Sequence, residues 1–146
     1  LVDTSPLGNP RRVAVGLEQN RLAMLLAILH RHGDITCHDQ DVFINVVGGV
    51  KLSETGADLA VIAAIISSLR NRALPRDWVL FGEVGLTGEI RPVQAGEERI
   101  KDASKHGFTH AIVPHANAPR KPFKGMKTFA VKHLSEVIDI LKERAD

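Results

Sequence analysis

The chain has 146 residues, 44% hydrophobic and 25% charged, and its 19 Lys and Arg against 17 Asp and Glu leave a formal net charge of +2. That length and mixture fit one globular domain around one hydrophobic core, and they exclude a disordered tail or a fibrous repeat. The single cysteine, Cys37, excludes an internal disulfide, a Cys-x-x-Cys zinc module and a dithiol redox pair, and it favours a reducing, cytoplasmic setting.

The first ten residues carry turn formers and no periodic face, and the chain starts at Leu1 rather than Met. They read as a linker from an upstream domain, leaving residues 11–146 as the folded unit. Arg12 to Val15 is expected to be a short strand. From Glu18 an amphipathic helix follows, with Leu22, Leu25, Leu26 and Leu29 at the i, i+3, i+4, i+7 spacing and a stop at Gly33. After a polar loop, the β-branched run Asp41 to Val47 predicts a strand that ends at Gly48-Gly49. Thr55-Gly56-Ala57-Asp58 fits a capping box opening a helix to about Arg70. That helix is apolar nearly all round, so burial on more than one side is expected. Its nearly uninterrupted apolar stretch, Leu59 to Ile66, falls far short of the ~20 residues of a membrane-spanning helix.

Further on, Trp78 to Phe81 reads as a strand, Gly85 to Arg91 as a short glycine-punctuated element and Glu97 to His106 as a helix. Strands are expected over Thr109 to Pro114 and Met126 to Val131. The last helix, from Leu134 to about Arg144, puts Leu134, Val137, Ile138 and Leu141 on one face. Strands alternating with helices predict an α/β fold, a mixed sheet covered by helices.

Motifs narrow the chemistry. A phosphate-binding loop needs G-x-x-x-x-G-K-[ST]; the nearest imitation, Gly48-Gly49-Val50-Lys51, lacks the spacing and the hydroxyl, so no ATP chemistry is expected within this chain. His30, His32, Cys37 and His38 carry metal-ligand chemistry, but their spacing matches no zinc module, and histidines also suit a helix C-terminus. No metal is expected. Neither G-x-S-x-G nor H-E-x-x-H occurs. The basic residues cluster as Arg11 and Arg12, as Arg70 and Arg72 with Arg76, and as Arg120 and Lys121 with Lys124 and Lys127. Five Phe, one Trp and no Tyr leave few rings, so backbone contacts should outweigh base stacking if nucleic acid is a partner.

Two long runs, Val46 to Ala60 and Phe81 to Val93, and the short Glu97 to Ile100 carry a family resemblance, with Ser5 to Arg12 in support. Together they closely resemble the C-terminal domain of the bacterial RadA (Sms) DNA-repair proteins. That domain is similar to the proteolytic domain of Lon, which implies an α/β fold related to the second domain of ribosomal protein S5. Lon-type peptidases use a Ser/Lys dyad, in which a neutral lysine amine of depressed pKa takes the serine proton. Aligned through the shared helix and Thr87-Gly-Glu-Ile90, the serine position falls on Gly56 and the lysine position on Glu97, and a register shift of one residue does not restore the pair. Lys101 lies one turn along the helix from Glu97, about 6 Å away. The resemblance therefore implies a pseudo-protease module without a catalytic residue.

The same resemblance implies a longer protein with an N-terminal zinc finger and a RecA-like ATPase core, which would hold the Zn, ATP and Mg. It implies a homo-oligomeric, hexameric ring acting on DNA, single-stranded or branched/duplex, in repair and recombination. The candidates for DNA contact in this chain are Arg11, Arg12, Arg70, Arg72, Arg76, Lys121 and Lys124. The alternatives are a purely structural oligomerisation module and a residual Lon-like peptidase.

Overall fold

The computed structural model describes residues 1–6, 8–49 and 54–143. Val50 and Lys51 of the glycine-rich run, and the expected helix end at Arg144, lie outside them. The N-terminal part is built on β3 (Gln40–Asn45), which pairs antiparallel with β1 (Val2–Thr4) and parallel with β2 (Arg12–Val15). The parallel pair needs a crossover, and α1 (Gln19–Gly33) supplies it, burying Leu22, Leu25, Ile28 and Leu29. Gly33 closes the helix, while Asp34 takes the left-handed cap conformation at φ 53°.

The first ten residues, read as a linker, contain the strand β1. Its register, Val2 opposite Val42, comes from β3, and the Val2 amide donates to the Ser68 hydroxyl at 2.8 Å. A three-residue strand of this kind leaves no periodicity to read.

The remaining elements are α2 (Asp58–Leu69), β4 (Trp78–Leu80), β5 (Glu83–Val84), β6 (Ile90–Arg91), α3 (Gly96–Lys105), β7 (His110–Pro114), β8 (Lys127–Val131) and α4 (Leu134–Glu143). The strand β7 lies between β4 and β8, both parallel to it, while β5 and β6 form an antiparallel hairpin. The fold is α/β, as expected. The single mixed sheet, however, is divided among described residues into a mixed three-stranded sheet, a parallel three-stranded sheet and the hairpin.

One core was also too few. A larger cluster joins α1, α2 and α4, and a smaller one gathers Phe81, Ile100, Ala103, Ala111, Val113 and Met126. The reason is the side-chain alternation of β7: Ile112 faces the first cluster, Ala111 and Val113 the second. A parallel sheet covered on both faces has a core on each side. No described helix is long and apolar enough to cross a membrane.

The expected capping box is not formed. No side chain caps α2; a single 3-10 turn, Thr55–Ala57, leads into it instead. The Thr55 hydroxyl donates to the Glu83 carboxylate. Asp58, 2% exposed, accepts from Arg21 Nε at 3.0 Å and from Arg21 Nη2, and it also takes the Val84 amide at 3.0 Å. One carboxylate thus ties α1, the start of α2 and β5 together. The Asp58→Ala variant strands the Arg21 guanidinium and the Val84 amide, and it should lower unfolding free energy by about 3–5 kcal/mol. Urea denaturation of variant and parent measures this; a loss below about 1 kcal/mol would contradict the role.

Candidate functional site

The position aligned with a peptidase serine lies in an open cleft of about 320 Å³ lined by Glu54, Thr55, Gly56, Glu83, Pro92, Val93, Gln94 and Arg99. An ion pair crowds the space a side chain at Gly56 would need. Glu54 Oε1 is 3.2 Å from Arg99 Nη1, and a Cβ on Gly56 would stand 3.2 Å from Glu54 Oε1 and Val93 Cγ1 and 3.3 Å from Arg99 Nη1. Arg99 is held there by donating from Nε to the Gln94 carbonyl at 3.1 Å, with its guanidinium 5.8 Å from the Phe81 ring centroid.

Glu97, at the lysine position, is exposed on the first turn of α3 and does not line this cleft. The entry to that helix is fixed by Asn117, which accepts from the Val93 amide at 2.8 Å and donates to the Val93 carbonyl at 3.0 Å. Gly96 is required beneath it, because a Cβ there would come within 2.4 Å of the Asn117 amide group.

A second set of charges continues from the cleft along the hairpin. Glu83, which takes the Thr55 hydroxyl, is 3.5 Å from Arg91, and Arg91 is 3.5 Å from Glu89. Glu89 accepts from the Thr87 hydroxyl, which together with Arg91 holds its carboxyl below the ordinary carboxylate range against the opposing effect of burial. Thr55 therefore sits at the end of an ion network, bonded to a carboxylate rather than beside a neutral amine. Sequence reasoning missed Glu83, Arg91, Arg99 and Asn117; only the Glu and Arg spacing on β5 and β6 offered any signal.

The basic candidates fall into separate groups. Arg11 is exposed, and its backbone amide donates to the buried Asp41 at 2.7 Å while its guanidinium lies 3.5 Å from the same carboxylate and 5.4 Å from the Phe43 ring centroid. The Arg11 amide is the main reason that the Asp41 carboxyl lies below its ordinary range. Arg12 turns inward and donates to the carbonyls of Cys37 at 2.8 Å and Gln40, closing the loop from α1 to β3. Burial pushes the Cys37 thiol up.

Arg70 and Arg72 come together on a crevice with Ser67, Leu74 and Leu141, where Arg72 donates to the Lys142 carbonyl at 3.0 Å. Arg76 is exposed just before β4, and Lys121 and Lys124 are exposed between β7 and β8. Because β4 and β8 run parallel, Arg76 and Lys124 lie at the same end of their sheet. Around the histidines, His38 bonds Thr36, and His32 lies edge-on to His133 at 6.3 Å. Among the described residues no group of three or more His, Cys, Asp or Glu is placed to hold a metal ion.

Comparison with known proteins settles the family. A family model described as "Subunit ChlI of Mg-chelatase" matches residues 11–117, more than half of the chain. The chain belongs to that family. DNA repair protein RadA of Salmonella typhimurium and that of Escherichia coli are each 64% identical over 143 residues, covering 98% of this chain and 31% of the relative. The Bacillus subtilis protein of the same name is 40% identical over 140 residues, 94% of this chain and 30% of its own length. The resemblance to RadA carried by the motifs thus holds over nearly the whole chain, and the chain spans about a third of the length of the curated relatives it matches.

The cleft permits a direct check on its chemistry. The double variant Gly56→Ser, Glu97→Lys should fold and release no peptides from casein, because a lysine exposed at position 97 keeps its ordinary pKa near 10.4 and stays protonated at neutral pH. Casein hydrolysis above the parent's background would contradict this account of the cleft.

Proposed function

We propose that this chain is a non-catalytic, Lon-like module of a DNA-repair protein, contributing DNA contacts and ring assembly rather than turnover. The observation that carries the reading is the cleft: Gly56 carries no side chain, the Glu54–Arg99 pair occupies the adjoining space, and Glu97 is exposed outside it. A fold can lose a nucleophile and base and still bind, since function resides in sites placed on it. The curated relatives at 64% identity are DNA repair proteins, which supports the same process for the protein containing this chain.

On this reading ATP, Mg and Zn are handled by parts of the longer protein outside this chain. The chain supplies exposed guanidinium and ammonium groups. Arg70, Arg76, Lys121 and Lys124 are exposed, whereas Arg12 spends donors on backbone carbonyls and belongs to the fold's internal bonding. Lysine and arginine heads of this kind bind phosphates without regard to sequence, and affinity then falls with salt as counterions are released. Assembly into a hexameric ring would multiply such contacts through effective concentration.

Binding to duplex DNA with about four phosphates contacted should give a log–log salt slope of roughly −3.6, and each charge lost from the contact should reduce it by about 0.9. Fluorescence anisotropy of labelled DNA against the parent and an Arg70→Glu, Arg76→Glu variant measures both. Loss of affinity with a shallower slope is expected. Unchanged affinity and slope would remove both arginines from the interface.

A further inference from the structure

We infer that the aromatic cluster of Trp78, His110 and Phe129, with the cations beside it, is a base-stacking site for single-stranded DNA. This deepens the DNA-binding reading above and rests on it. Composition alone argued against stacking, since the chain has five Phe, one Trp and no Tyr. The fold gathers the tryptophan, one phenylalanine and a histidine on one face of the parallel sheet. Trp78 and His110 are cross-strand partners, with ring centroids 5.0 Å apart and planes inclined by 11°. Phe129 lies 5.6 Å from Trp78 and 6.2 Å from His110, its plane within 29° of both. All three are partly exposed. The rings stack on one another, and Trp78 and Phe129 also pack against the larger core, so a base would cover only the part of the stack left exposed; stacking tolerates any base because every base has a π-face.

The charge around the platform matches a phosphate backbone. Lys127, the β-partner of His110, is exposed with its Nζ 5.1 Å from the Phe129 centroid. Arg76 precedes Trp78 by two residues and Lys124 precedes Lys127 by three, both exposed at the same end of the sheet. Asp77 is the acid adjoining them, and its carboxylate is committed to the Thr109 hydroxyl at 2.6 Å, the same hydroxyl that lies 2.8 Å from His110 Nδ1. An open concavity of about 570 Å³, lined by Thr109, His110, Pro122, Gly125, Met126 and Lys127, adjoins the rings. His110 and Lys127 belong to both features, so a base on the rings would place its phosphate beside the lysine. Duplex DNA keeps its bases stacked inside and offers the platform nothing flat.

Trp78 is the chain's only tryptophan, and no tyrosine is present, so emission excited at 295 nm reports this site alone. The chain is titrated with a labelled oligothymidylate and with an abasic oligomer of the same length and charge, following anisotropy and Trp78 emission together. Quenching should track the anisotropy isotherm for oligothymidylate, and the abasic oligomer should bind about tenfold more weakly without quenching. Lys127→Ala should weaken oligothymidylate binding severalfold with its urea midpoint unchanged. Equal affinity for the two oligomers, or binding without quenching, would overturn the stacking site and leave the DNA-binding reading standing. Failure of every DNA to bind at low salt would overturn both.

Discussion

The arrangement of this domain depends on one buried carboxylate. Asp58 stands at the start of α2 and accepts both from the Arg21 guanidinium on α1 and from the Val84 amide on β5. Arg21 gains a raised pKa from this pairing, chiefly through the hydrogen bond to Asp58. A buried ion pair adds little stability over a well-packed apolar substitute, but it is costly to break and it fixes geometry. Here it fixes how the hairpin of β5 and β6 leaves the helices, and the hairpin supplies Glu83 and Arg91 beside the cleft.

On the reading proposed above, the cleft is a catalytic constellation dismantled without loss of the fold. A Cβ at Gly56 would be crowded by Glu54, Val93 and Arg99. Asn117 and Gly96 still set the start of α3 closely, yet the side chain presented at position 97 is an exposed acid. Exposure matters as much as identity there, because a lysine base needs a dry site to lose its proton at neutral pH. The same domain keeps exposed cations, Arg76 and Lys124, at one end of its parallel sheet.

Much of this was legible in the sequence where one element carries its own signal. The leucine spacing of α1 and the apolar stripe of α4 gave those helices to within a few residues, and the run Arg12 to Val15 is the observed β2. The features that escaped are those made by distant partners. β1 exists because β3 pairs with it, and Thr55 and Asp58, spaced as a capping box, are drawn off by Glu83, Arg21 and Val84. Residues 78, 110 and 129 are isolated rings along the chain and neighbours only across three parallel strands. The Glu54–Arg99 ion pair beside Gly56 joins residues far apart in the chain and left no signal in the sequence.

Hydrogen exchange of the chain with and without oligothymidylate, resolved by peptide, bears most directly on the claim that this domain binds DNA and has retired its peptidase cleft. The account predicts slowed exchange in the segments entering β4, β7 and β8, around residues 74–78, 106–110 and 121–127, with no change around 54–57 and 92–99. Protection centred on the cleft, with the sheet end unchanged, would contradict it.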